Sequence, residues 1–138
     1  MISAPIASCM SKDFALIHPD MPVVEASAKL VRKAMLGGPV VDGEGKLLGW
    51  ISEQECLQVS IQVVYHNQRV ATVRDIMRDD VLCVKLDEDP LALAQQMLTD
   101  KPKSYPVVDT NRKVVGVINR RHMLDMLVKQ LATFSKPQ

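Results

Sequence analysis

The chain is 138 residues long, 47% hydrophobic and 24% charged, and its 17 basic and 16 acidic side chains leave a formal charge of +1. That length suits one compact domain or two small repeats sharing a core. The charge balance gives no electrostatic footprint for nucleic acid or an anionic membrane, the 4% aromatic content offers no stacking platform for single strands, and no apolar run reaches the ~20 residues that span a bilayer.

Residues 1–5 lack the basic and long apolar regions of a secretory leader, which points to a cytoplasmic protein. Cys9, Cys56 and Cys83 lie far apart, so neither a disulfide framework nor a C-x-x-C site is formed, and reduced, mostly buried thiols are expected. His18, His66 and His122 are too scattered to build a metal site with them. Laying Met10 on Met77, an offset of 67 residues, carries Pro39-Val40-Val41-Asp42 onto Pro106-Val107-Val108-Asp109 and Gly49 and Ile51 onto Gly116 and Ile118, all without a gap. The chain is a duplication.

In chain order, Phe14-Ala15-Leu16-Ile17 reads as a short strand, and Asp20-Met21-Pro22 opens a helix with Val23, Ala26, Leu30 and Ala34 on one face. Pro39–Val41 and Leu47–Ile51 form a hairpin about Asp42-Gly43-Glu44-Gly45, a turn rich in residues that accept positive φ. A closing helix starts near Glu53; Ile61, Val64 and Tyr65 extend it before a turn at His66–Arg69. The second copy has a strand at Val81–Val84 and a helix opened by Asp89-Pro90, with Pro90, Leu93, Met97 and Lys101 on one face and Leu91, Ala94 and Leu98 beside it. A hairpin about Asp109–Arg112 and a helix from Arg120 follow, and Ser135–Gln138 is expected to fray. The fold class is α/β (α+β), built from two β-α-β-β-α units. Each is too small to be stable alone, so the copies must pack together.

The Pro-Val-Val-Asp strand, the Gly-x-Ile strand ending in a polar residue, the helix after it and the tandem order resemble CBS domains, over residues 8–62 and 75–131 with 63–74 connecting them. The resemblance implies repeats packed through their sheets with pseudo-two-fold symmetry, around clefts that take AMP, ADP, ATP or S-adenosylmethionine. It implies no catalysis and no required cofactor. It also implies pairing into a homodimer and regulation of a partner protein, expected here to be a separate chain. Across a two-fold, Met123, Met126 and Leu127 suit a dimer surface.

Nucleotide-binding members carry Gly-h-h-Thr/Ser-x-x-Asp, where h is apolar. The Asp accepts both protons of the ribose diol, and the hydroxyl lies near phosphate at a helix N-terminus. In Gly49-Trp50-Ile51-Ser52-Glu53-Gln54-Glu55, Ser52 fits and Glu55 stands where Asp is expected. Ser-x-x-Glu is equally a capping box, and the two readings weigh the same. In Gly116-Val117-Ile118-Asn119-Arg120-Arg121-His122, Asn119 and His122 replace the polar pair, and Asn119 is also a good N-cap. Arg120 and Arg121 either sit in solvent, Arg121 pairing with Asp125, or converge with the helix dipole on a phosphate. His122 beside phosphate would couple affinity to pH. Pro39, Val40, Tyr105, Pro106 and Val107 fall where the family packs adenine, with Tyr105 offering its ring or hydroxyl to the cleft; as core strands they equally need no ligand. Two functions remain open: a regulatory sensor of an adenine nucleotide or adenosyl compound, and a ligand-free scaffold for dimerisation or protein interaction.

Overall fold

The sequence of each half alternates helix-forming and strand-forming patterns, and the hairpins at their centres meet in the middle of the molecule. The computed structural model describes residues 5–67, 69 and 71–135. Residues 136–138 of the expected frayed tail and Gln68 of the expected turn lie outside the described residues. The first half comprises α1 (Ile6–Cys9), α2 (Val23–Lys33), β1 (Gly37–Val41), β2 (Leu47–Ser52) and α3 (Glu53–His66). The second comprises α4 (Val73–Ile76), β3 (Val84–Lys85), α5 (Pro90–Gln96), β4 (Ser104–Val108), β5 (Val114–Asn119) and α6 (Arg120–Ser135).

β1 pairs antiparallel with β2 and β4 with β5, each with a register shift at its last valine pair, Val40/Val41 and Val107/Val108. The turns are copies as well. Asp42 Oδ1 accepts from the Glu44 and Lys46 N–H groups at 2.8 and 3.0 Å, and Asp109 Oδ1 from Asn111 and Lys113 at 2.8 and 3.0 Å. These bonds hold the Asp42 carboxyl below its ordinary range, the Lys46 N–H contributing most. The left-handed position of the turn is Gly45 (φ 83) in one copy and Arg112 (φ 64) in the other.

The leading strands are shorter than expected. β3 runs parallel to β4 for two residues, and in the first half only Ile17 bridges Val40. Pro19 follows shortly and has no N–H with which to extend that ladder. Asp89 caps α5 through the Leu91 N–H at 3.1 Å, with Pro90 in the first turn. Asp20 does not cap α2; Pro22 stands at that position and Asp20 pairs with Arg74 at 3.2 Å. Two face assignments are corrected. Ala34 closes α2 in the left-handed conformation (φ 53) and is exposed, while Lys101 lies beyond the end of α5 in solvent. Leu91 and Leu98, placed beside the α5 face, are exposed at 41% and 80%.

The cores are assembled crosswise. Ile6 and Cys9 of α1 pack among Tyr105, Val107, Ile118 and Met123 of the second half, and Val73 of α4 packs among Ala15, Ile17, Val40 and Ile51 of the first. Burying a residue like Ile6 stabilises by roughly 1.5–3 kcal/mol, so each arm is a structural part of the other half. Backbone bonds fix the exchange: Ser11 and Val117 trade two at 2.8 and 2.9 Å, and Arg78 and Trp50 trade two at 2.9 Å. The arms cross over glycines. A Cβ on Gly116 would stand 2.6 Å from Met10 Sδ and 2.9 Å from the Ser11 carbonyl oxygen, and one on Gly49 would strike the Arg78 carbonyl oxygen. At the pseudo-two-fold axis the hairpin turns join, the Leu47 N–H donating to Arg112 O at 3.1 Å and the Val114 N–H to Gly45 O at 3.0 Å.

All three cysteines are free; Cys9 and Cys56 are buried, which pushes both thiols up, and Cys83 is half-buried. Met123 and Met126 are 3% and 7% exposed in the second core, so they form no dimer surface. Among the described residues no helix is long and apolar enough to cross a membrane.

Candidate functional site

Each Gly-x-Ile strand runs directly into its closing helix, and the turn between them carries the expected ligand residues. In the first half the capping box is formed: the Glu55 N–H donates to Ser52 Oγ at 3.2 Å, and Ser52 N–H and Oγ–H donate to Glu55 Oε1 at 3.1 and 2.9 Å. The second half reproduces this geometry with other groups. The His122 N–H donates to Asn119 Oδ1 at 2.9 Å, and the Asn119 N–H donates to His122 Nδ1 at 3.2 Å. His122 is therefore an acceptor at Nδ1, and its imidazole is held neutral. Burial pushes its pKa down, Arg121 adds to that, and Asp125 opposes it. Each helix start is closed further by the loop before the hairpin, Glu53 N–H donating to Leu36 O at 2.8 Å and Arg120 N–H to Lys103 O at 3.2 Å.

Arg120 and Arg121 are exposed on the first turn of α6. Arg121 does not pair with Asp125; that carboxylate is engaged by Lys129 at 3.0 Å, one turn towards the C-terminus, where a cation suits the helix dipole. The residues expected around adenine are core. Val40 and Val107 are fully buried, Pro39 and Pro106 are buried beside them, and Tyr105 is 1% exposed with its hydroxyl accepting a bond from Gln96 Nε2 at 3.0 Å. The Tyr105 side chain is thus packed in the second core with Ile6, Leu93 and Met97.

The cavity between the halves has other walls. It measures about 630 Å³ and is lined by Trp50 from β2, by Arg78, Asp79 and Asp80 from the crossing arm, and by Ser104 and Arg112 from the second half. Burial alternates along β2, so Trp50 and Ser52 share the face opposite Gly49 and Ile51. The indole is half-buried and lies across Gly37, with Nε1 2.6 Å from where a Cβ would stand. Among the described residues Arg78, Asp79, Asp80 and Arg112 form no ion pair. A flat aromatic surface, two guanidinium groups and two carboxylates thus surround a space of ligand size. The sequence points to Ser52 and Glu55 through the family motif and less directly to Trp50, two residues before Ser52. The signal available was that it is the single tryptophan of an aromatic-poor chain, inside the Gly-x-Ile strand.

A protein-family model described as CBS domain matches residues 6–61 and 73–129. An inosine-5'-monophosphate dehydrogenase from Methanocaldococcus jannaschii is 29% identical over 113 residues, covering 82% of this chain; the chain spans only 21% of that enzyme's length. Among solved structures, CBSX2 from Arabidopsis thaliana in complex with AMP superposes with a TM-score of 0.81 at 22% identity, covering 94% of this chain and 99% of that one. The CBS domain pair of protein MJ0100, in complex with 5'-methylthioadenosine and S-adenosyl-L-methionine, superposes with a TM-score of 0.75 at 24% identity, covering 92% and 98%. At these identities the superpositions establish the fold.

Proposed function

Because this chain belongs to the CBS domain family, as a tandem pair of its repeats, we propose that it is a regulatory sensor that binds an adenine nucleotide or adenosyl compound between the repeats and modulates a partner protein. The observation that carries the reading is the cavity of about 630 Å³ whose walls come from both halves. A ligand there bridges the repeats and favours whichever relative arrangement it binds more tightly, which is what a sensor requires. Ser52 and Glu55 at the start of α3 and Asn119, Arg120, Arg121 and His122 at the start of α6 do not line this cavity. The two repeats are residues 8–62 and 75–131, joined by 63–74. AMP, ADP, ATP and S-adenosylmethionine are the candidate ligands, and the module works by binding, not by catalysis.

The module is also proposed to pair with a second copy through its closing helices. Leu57, Ile61 and Val64 on α3 and Leu124, Val128 and Leu131 on α6 are all exposed, at equivalent positions of the two repeats. Such patches mark association surfaces. Calorimetric titration with the four candidate ligands, with melting temperature in parallel, tests the sensor reading. A heat of binding and a raised melting temperature support it. No response to any of them at millimolar concentration sinks it and leaves the interaction scaffold, which light scattering would then report as a dimer.

A further inference from the structure

The 67-residue offset makes the two sides of the module directly comparable, because every wall residue of the Trp50 cleft has a counterpart across the pseudo-two-fold axis. Trp50 corresponds to Val117, Arg78 to Ser11, Asp79 to Lys12, Asp80 to Asp13 and Arg112 to Gly45. The backbone is the same on both sides, since Trp50–Arg78 and Val117–Ser11 form equivalent two-bond bridges. The side chains are not. On the Val117 side the aromatic surface is gone, the Arg112 position is a glycine, Ser11 is occupied in local bonds with Asp13, and the Asp13 carboxylate is tied to Lys33. Residues 13–16 line a separate space with Lys29, Arg32 and Lys33 of the same repeat, and neither Val117 nor Ser11 reaches it.

Arg112 adds an independent sign. It holds a left-handed backbone (φ 64) where the other copy uses glycine, so a long cationic side chain is kept at a position that disfavours it. Its carbonyl is bonded to Leu47 of the first half, which fixes the residue at the junction of the repeats, beside the cleft. Arg78 of the crossing arm and Arg112 of the second hairpin, neither of them ion-paired among the described residues, line the same cavity, and guanidinium groups are suited to phosphate.

We infer that the module takes one ligand per chain, in the Trp50 cleft alone, and that this ligand is a nucleotide whose base stacks on Trp50 and whose phosphates join Arg78 to Arg112. This rests on the sensor reading and narrows it: a phosphorylated adenosine is selected over the sulfonium cation of S-adenosylmethionine. Asp79 and Asp80 are placed to accept the ribose hydroxyls. The Val117 side keeps the fold and takes no ligand.

The test is calorimetric titration of the full chain with AMP, ADP, ATP and S-adenosylmethionine, following Trp50 emission. One nucleotide per chain is expected, with a change in emission and a preference over S-adenosylmethionine of about tenfold or more. Arg112→Gly, which installs the residue its counterpart already has, should weaken nucleotide binding by about tenfold while leaving the melting temperature equal or higher. Trp50→Val should weaken it similarly and remove the optical signal. Two ligands per chain, equal or tighter binding of S-adenosylmethionine, or full affinity in Arg112→Gly would each overturn the inference while the sensor reading stands. Silence towards all four compounds removes both.

Discussion

The starts of α3 and α6 carry the same reciprocal cap made from different chemistry. Ser52 and Glu55 close one with a hydroxyl and a carboxylate; Asn119 and His122 close the other with an amide and an imidazole. The distances match, so duplication has conserved the bonding pattern and let the groups drift. The electrical consequences differ. Glu55 puts negative charge where the helix dipole wants it, whereas α6 opens with Arg120 and Arg121 and a neutral His122. Its cap bond exists only while Nδ1 is unprotonated. Acid therefore removes the Nδ1 half of the α6 cap, while the bond from the His122 N–H to Asn119 Oδ1 remains.

The comparison can be broken most severely at the arm crossings. Gly49→Ala should cost about 2–3 kcal/mol, because the new methyl meets the Arg78 carbonyl oxygen, and Gly116→Ala should cost less, because the backbone in its way, the Ser11 carbonyl oxygen at 2.9 Å, stands farther off. Denaturant unfolding of both variants measures the difference. Next come the caps. Glu55→Ala should lose about 1 kcal/mol and His122→Ala somewhat less, since only the former also gives up a favourable charge at the dipole.

The pH response sharpens the comparison further. The folded state holds the His122 pKa below its ordinary value of 6.5, so the stability it contributes is full above that value and lost as pH falls through the lowered one. The unfolded chain takes up the proton first. Wild type should thus lose more stability from neutral to mildly acidic pH than His122→Gln does, by thermal unfolding at several pH values. Equal slopes would mean that the imidazole is not part of the cap in solution. The smallest effect concerns Ala34, left-handed at the end of α2: Ala34→Gly should raise stability by about 1 kcal/mol or less, measured the same way.

Much of this architecture was legible before the structure. The hairpins, their Asp-led turns and the starts of the closing helices followed from turn chemistry and capping residues, which act locally. The fold class followed from the order of those elements. What escaped depended on distant contacts. Ile6, Cys9 and Val73 sit in helices of four residues, too short for periodicity to mark, and their burial is decided wholly by the opposite repeat. The same offset that laid Met10 on Met77 held the clue, since each lies over the glycine of the other repeat. At the candidate site, Ser52 and Glu55 could be read two ways because a phosphate-binding turn and a helix cap use the same groups. Tyr105 could likewise be read as core or as cleft, because strand periodicity alone does not say which of two faces meets the core.

The crossed arms also make the order of synthesis matter. Each half is completed by a segment belonging to the other, but a ribosome delivers those segments at opposite ends of the task. The first repeat is one short helix away from its full core when α3 has emerged, and α4 supplies it almost at once. The second repeat has its plug from the beginning, as α1, which must wait with Ile6 and Cys9 uncovered until β4, β5 and α6 have been made. Ile6 and Cys9 therefore emerge before the core that covers them, and β4, β5 and α6 fold onto a segment already in place.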